Sequence, residues 1–385
     1  MSSNYFKDMR VAYGFDEVAL VPGEVTINPE QTEIHFNVDR LTFELPVLAA
    51  AMDAVVDLSF AVRYSKLGGL AVLNLEGVQT RYDNPEEVLI EISRARGTEV
   101  TVLLQKIYSQ PVDTRLIGER IKAIKEAGAR CAVSVTPASA KLFGPFIAEA
   151  GADVFIVQAT VTTARHSSKS YRGLIFSELC KDVSMPVIVG NCVSYEAALE
   201  IMRDGVAGIL VGVGPGAACT TREVLGVGVP QVTATMDCAA ARQAYFKESG
   251  RYVGIITDGG IRNSGDMCKA FAAGADAVML GSVFAQTEGA PGGGFNWGMA
   301  NPHPALPRGT RIRVGTRGTL EQLLLGPSSV TDGSQNLIGA LRTCMGMCGA
   351  VSIKDMHGVE MVIAPSVKTE GKLFQMTPQG SGPSS

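Results

Sequence analysis

The chain has 385 residues, 46% of them hydrophobic and 19% charged, with a formal net charge of −4. That is enough apolar material for a sizeable packed core in one large or two ordinary domains. Its lysines and arginines are scattered along the sequence, which removes the electrostatic footprint of a nucleic-acid or acidic-membrane binder. No apolar run reaches the roughly 18 residues of a membrane span, and the start MSSNYFKDMRVAYGFDE lacks a signal peptide's apolar segment, so a cytoplasmic protein is expected. The eight cysteines lie at irregular spacings inside apolar segments and do not form a disulfide framework; Cys344 and Cys348 have no matching Cys or His pair for zinc.

Short runs of Val, Ile and Leu recur, each ending in Gly, Asn, Asp or Thr and each followed by Ala, Glu and Lys at helical spacing. In chain order they predict strands at 46–53 (PVLAAAMD), 70–74 (LAVLN), 101–106 (TVLLQK), 131–137 (CAVSVTP), 153–160 (DVFIVQAT), 186–192 (PVIVGNC), 208–214 (GILVGVG), 253–260 (VGIITDGG) and 277–282 (AVMLGS). Nearly all lack the in–out alternation of a one-faced sheet, so they are expected to be buried on both faces in a parallel sheet with helical crossovers. The AGA tripeptides at 127–129, 150–152 and 273–275 mark helix ends just before strands. Eight or nine such units predict an α/β fold, a (β/α)8 TIM barrel in a single domain, over a doubly wound sheet.

In a barrel the loops at the C-terminal strand ends carry the chemistry. Those ends offer Met52 and Asp53, Asn74, Thr136, Gln158 with Thr160, Asn191, the loop GVGPGAACTT (212–221), Asp258 with its glycines, and Gly281-Ser282. The loop matches the G-x-G-x-x-A spacing of a dinucleotide fingerprint, but no acid closes a strand about 20 residues on, which argues against that reading. It remains a phosphate cradle or a mount for Cys219. DGGI (258–261) and GS (281–282) end the last two strands, where barrels bind phosphate on glycine N–H groups; the alternative is that they only make tight turns.

The motifs YGFDEVALVPG (13–23), PVLAAAMDAVVD (46–57), VIVGNCVS (187–194), VGVGPGAACTT (211–221), DGGIRNSGDMCKAFAAGADAVMLGS (258–282), WGMA (297–300) and LRTCMGMCGA (341–350) occur in an order and spacing that resemble the IMP dehydrogenase/GMP reductase family. The likeness runs from Tyr13 to TEGKLF (369–374). Typical IMP dehydrogenases insert a cystathionine-β-synthase-type regulatory pair where this chain has only a short replacement, 75–130, so TVLLQK is assigned to that replacement. The resemblance implies that Cys219 attacks C2 of the hypoxanthine of IMP, that hydride passes to NAD, and that a covalent purine adduct is hydrolysed to XMP. A thiol suits such a step, being nucleophilic and able to leave again.

By position the resemblance further implies that Asp258 binds the ribose hydroxyls and that Gly260, Gly281 and Ser282 hold the phosphate. Met52 would pack on the purine, and Gly298 and Met299 would meet its edge. Thr221 would handle a proton, while Gln158, Thr160, Asn191, Gly212 and Gly214 would face the cofactor. For Met52 and Asn191 a packing or turn-capping role is the alternative. A potassium site would use Gly214, Gly216 and Cys219, completed by Glu370 and Gly371 of a neighbouring subunit in a homotetramer. Several positions depart from the family pattern. Ala217 replaces a phosphate-binding Ser, Gln158 an Asp that touches the nicotinamide ribose, and Leu210 a common Arg. The flap is cut to NPHPALPRG (301–309), without the Arg-Tyr pair that activates water, which leaves Arg308, Arg311, Arg313, His303 or Thr221 for that work. GMP reductase, and a purine-nucleotide-binding regulator without turnover, are the competing readings.

Overall fold

The computed structural model describes residues 8–167, 173–299 and 310–365. Eight of the apolar runs are strands: β1 Val47–Ala49, β2 Leu70–Asn74, β3 Ala132–Val135, β4 Val154–Gln158, β5 Val187–Cys192, β6 Gly208–Val211, β7 Gly254–Asp258 and β8 Ala277–Leu280. They pair in the order β7-β8-β1-β2-β3-β4-β5-β6, and β6 closes on β7 in parallel register, Leu210 opposite Ile256. The protein is a (β/α)8 barrel. Leu48, Leu70, Ile156, Ile188, Leu210, Ile256 and Met279 fill its interior, while neighbours such as Val47, Leu73, Phe155, Ile209 and Ile255 pack outward against the helices. Both faces of every strand are therefore apolar, which is why the sequence shows continuous runs. At the N-terminal end the hairpin of Phe36–Val38 and Leu41–Phe43 stoppers the barrel, with Phe36 and Phe43 in the interior cluster.

The ninth run is not a strand. TVLLQK lies within a helix, Glu99–Ser109. Leu104, Ile107 and Tyr108 are buried on one face while Val102 is exposed, the three-to-four spacing of a helix packed on one side only. That face meets Ala54, Val78 and Trp297. Residues 75–130 hold this helix, a second at Pro85–Arg94, and the ordinary barrel helix Thr114–Glu126 between β2 and β3.

Two clasps fix the extra helices to the C-terminal end of the barrel. Asp53 Oδ2 accepts bonds from the backbone N–H of Val78 at 2.8 Å and the hydroxyl of Tyr108 at 2.7 Å, and Tyr108 in turn accepts the indole N–H of Trp297 at 2.8 Å. Glycine is required at Gly77, because a Cβ there would stand 2.0 Å from Asp53 Oδ1. On the other side, Arg311 donates to the carbonyls of Ile92, Ser93 and Ala95 at the end of the helix Pro85–Arg94, with its guanidinium 4.2 Å from the Phe295 ring centroid. A cation there satisfies the carbonyls left over at a helix C-terminus. Replacing Arg311 by Ala is expected to cost about 1–3 kcal/mol locally. Amide hydrogen exchange over 85–109 should quicken while the barrel strands stay protected, and unchanged exchange there would refute the clasp.

Candidate active site

The strand ends converge on one cavity of about 930 Å³ at the C-terminal mouth. It is lined by Met52, Asn74, Thr136, Gln158, Thr160, Asn191, Gly212, Gly214, Gly216, Cys219, Thr221, Asp258, Gly260, Gly281, Ser282, Gly298 and Met299. Asp53 alone of the described strand-end residues turns away, into the helix clasp. Arg308, His303, Glu370 and Gly371 lie outside the described residues.

The loop after β6 is shaped by close approaches that only glycine permits. A Cβ on Gly212 (φ +147°) would stand 2.3 Å from the carbonyl oxygen of Asp258, and one on Gly214 (φ +72°) would stand 2.6 Å from Cγ of Arg222. A tight turn, Cys219 N–H to Gly216 O at 3.0 Å, lifts Cys219 into the cavity. Its thiol donates to the Thr221 hydroxyl at 3.3 Å. Thr221 is itself buried and opens the helix Thr221–Leu225. Arg222 holds the loop from behind, donating to the carbonyls of Val213 at 3.1 Å and Val229 at 2.7 Å.

Asp258 ends β7. Its Oδ2 accepts the amide N–H of Asn191 at 2.7 Å and of Gln158 at 3.1 Å. Asn191 reaches it because β5 slips register between Gly190 and Cys192; such a bulge leaves one residue unpaired and re-aims its side chain. Burial pushes the Asp258 carboxyl up to about 6, against the opposing pull of the Asn191 bond. At neutral pH it is therefore an ionised acceptor.

Gly259 and Gly260, both at positive φ, press against Pro215, which would come within 3.2 and 3.1 Å of an added Cβ. Across the mouth, a Cβ on Gly281 would meet Met52 Sδ at 2.9 Å. Asn296 Nδ2 donates to Ser282 Oγ at 3.0 Å, and its buried Oδ1 has no partner. Met299 Sδ lies 3.6 Å from the Tyr108 hydroxyl, so the helical layer touches the cavity there. Sequence reasoning missed Asn296, although a lone polar residue between Phe295 and Trp297 in a strand was a usable signal. It also missed Gln231, whose amide is bonded to three backbone carbonyls and carries no local signature. Of the flap-base arginines, Arg311 is spent in the helix clasp, and Arg313 lines the cavity.

A family model described as the IMP dehydrogenase/GMP reductase domain matches residues 12–299. The chain belongs to that family. A Mycolicibacterium smegmatis protein named an uncharacterized oxidoreductase is 38% identical over 92% of this chain and 97% of its own. An inosine-5'-monophosphate dehydrogenase of Cryptosporidium parvum is 30% identical over 89% of each. The crystal structure of an IMP dehydrogenase/GMP reductase-like protein from Corynebacterium glutamicum superposes with a TM-score of 0.87 at 34% identity, covering 93% of this chain and 95% of that one. Oxidoreductase chemistry on a small molecule comes with the family, and among the described residues no helix is long and apolar enough to cross a membrane.

If Asp258 holds a ribose diol, Asp258→Ala should weaken binding of a purine ribonucleotide far more than of its 2′,3′-dideoxy analogue, measured by calorimetry. Equal weakening would make Asp258 structural.

Proposed function

We propose that the protein oxidises IMP to XMP with NAD+ and water, in guanine nucleotide biosynthesis, through a covalent bond from Cys219 to C2 of the base. The observation that carries this reading is the placement of a half-buried thiol, hydrogen-bonded to Thr221, in the same cavity as a half-buried carboxylate and the glycine turns after β7 and β8. Asp258 would accept the ribose hydroxyls, the N–H groups at Gly260, Gly281 and Ser282 would bind the phosphate, and Met52, Gly298 and Met299 would bracket the purine. Addition forms the C2–S bond as the C2=N3 π pair moves onto N3, which takes up a proton while the thiol proton leaves toward Thr221 and solvent. The C2 hydrogen then departs with its electron pair, water adds at C2, and the C–S bond breaks to restore the thiol.

The chemistry NAD+ supplies when bound is acceptance of that hydride. The site suits a second ligand: the cavity is at the top of the roughly 300–1,000 Å³ range of small-molecule sites, and Asn191 keeps a buried, unpartnered Oδ1 on its wall that would accept an amide N–H. Gln158, Thr160, Asn191, Gly212 and Gly214 would border it. A potassium ion would take Gly214, Gly216 and Cys219 with Glu370 and Gly371; Gly216 O accepts Cys219 N–H and keeps a second lone pair. A cytoplasmic homotetramer belongs to the same reading.

The deciding assay follows the absorbance of reduced nicotinamide with IMP plus NAD+ and, separately, with GMP plus NADPH. Formation of NADH supports the reading, and consumption of NADPH with GMP alone would make the protein a GMP reductase. Cys219→Ala should abolish turnover while keeping nucleotide affinity, because the phosphate and ribose contacts come from other strands; normal turnover would end the covalent mechanism. Hydrolysis needs a water deprotonated near C2. Arg308→Ala is expected to leave a pre-steady-state NADH burst intact and slow the phase after it. Loss of the burst would give Arg308 a binding role, and no change would shift the base to Thr221, Arg313 or His303.

A further inference from the structure

Gln158 closes β4, and its pairing partner in the ladder is Gly190, next to Asn191. From there it spans the mouth to Asp258 on β7, three strands away in the barrel order. Both amides end on the same oxygen, Oδ2, and no described residue bonds Oδ1. The geometry points to Gln158 as a positioning residue for Asp258: with Asn191 it commits one carboxylate oxygen and leaves the other as the acceptor offered to a vicinal diol. This goes beyond the proposed reaction, in which Gln158 would border the cofactor, and it rests on that reading only for the identity of the diol.

Two donors on one oxygen have a chemical consequence. An N–H pair is compatible with an ionised oxygen and not with a hydroxyl in the same place, so the proton that arrives at low pH is directed to Oδ1. Acidification thus replaces an acceptor by a donor at the ligand-facing atom. The other titratable or charged side chains lining the cavity are Glu76, Arg81, Cys219, Arg262, Arg313 and Arg317. Among the described residues none of them is hydrogen-bonded to Asp258. The two amides are the described side chains hydrogen-bonded to it, Asn191 at 2.7 Å and Gln158 at 3.1 Å, and Gln158 reaches it through the full length of its side chain.

The sign for stability follows. Burial raises the folded carboxyl from 3.8 to about 6, so its ionisation is without effect on stability below the unfolded value, opposes folding progressively as pH rises from there through the folded value, and is constant above it. Gln158→Leu removes a donor to the ionised form, raises the folded value further, and enlarges the opposition above it. Ligand-free melting curves should therefore show Gln158→Leu losing more melting temperature at about pH 8 than at about pH 5, with the difference abolished in an Asp258→Asn background. Gln158→Glu, which sets a second carboxylate against the first, should show a still larger pH-dependent loss and serves if the Leu variant folds poorly. In binding, the acid limb for IMP should move up by about one pH unit in Gln158→Leu, a tenfold loss within that interval. The limb for 2′,3′-dideoxy-IMP, set by the phosphate, should stay put. An equal melting loss at both pH values in both variants would overturn the assignment whatever ligand binds. A pH-dependent loss with no preference of the protein for IMP would instead leave Gln158 in place and remove the nucleotide reading.

Discussion

Where the parallel ladder between β6 and β7 runs out, a side chain takes over from the backbone. Nε2 of Gln231, buried at the start of the helix Gln231–Ser249, lies 3.2, 3.0 and 3.2 Å from the carbonyls of Val211, Asp258 and Gly259. Buried carbonyls without partners are costly, and here a single amide serves the ends of two strands. With the seam held so tightly there is no room for a side chain at Gly212, and Pro215 rests directly on Gly259 and Gly260. The loop that carries Cys219 and the strand that carries Asp258 are thus fixed relative to each other before any ligand arrives. Preorganisation of this kind lets a site place a thiol and a carboxylate without spending binding energy on ordering them.

The mouth is completed by chain elements that are not part of the barrel. The helix Glu99–Ser109 backs the cavity wall through Tyr108, which ties Asp53 behind β1 to Trp297 and lies against the wall residue Met299. The strand pair Phe295–Trp297 and Arg311–Arg313 is held by Arg311 to the helix before it. Residues 298 and 299 and the flap-base Arg313 therefore stand on a packed helical layer. The strand pair and the helical replacement between β2 and β3 thus pack as one layer.

Much of this was legible beforehand because burial on both faces writes continuous apolar runs, and because turns that end in Gly, Asp or Asn mark strand ends at the active mouth. The eight barrel strands and the cavity membership of Cys219, Asp258, Ser282 and their neighbours follow from that pattern. The segment 101–106 misled because three consecutive apolar residues, Val102 to Leu104, look alike in strand and helix until a partner selects one face; Trp297 and Val78 do so. The bulge that aims Asn191, the reach of Gln231 to the β6–β7 seam and the turn of Gln158 toward Asp258 all depend on contacts between residues far apart in sequence. Local propensity carries no trace of them. Arg311 could not be separated from Arg313 by sequence because residues two apart on a strand share a face, and only the fold shows that Arg311 turns to the helix carbonyls while Arg313 lines the cavity.

The proposed reaction requires a covalent bond between Cys219 and the purine. Mixing the protein with IMP and NAD+, quenching in acid within a turnover and weighing the peptide that contains Cys219 measures that bond directly. A mass increase matching the bound nucleotide on that peptide, dependent on both reactants, is the predicted result. An unmodified Cys219 peptide under conditions that form NADH, or an adduct on another cysteine, would contradict it.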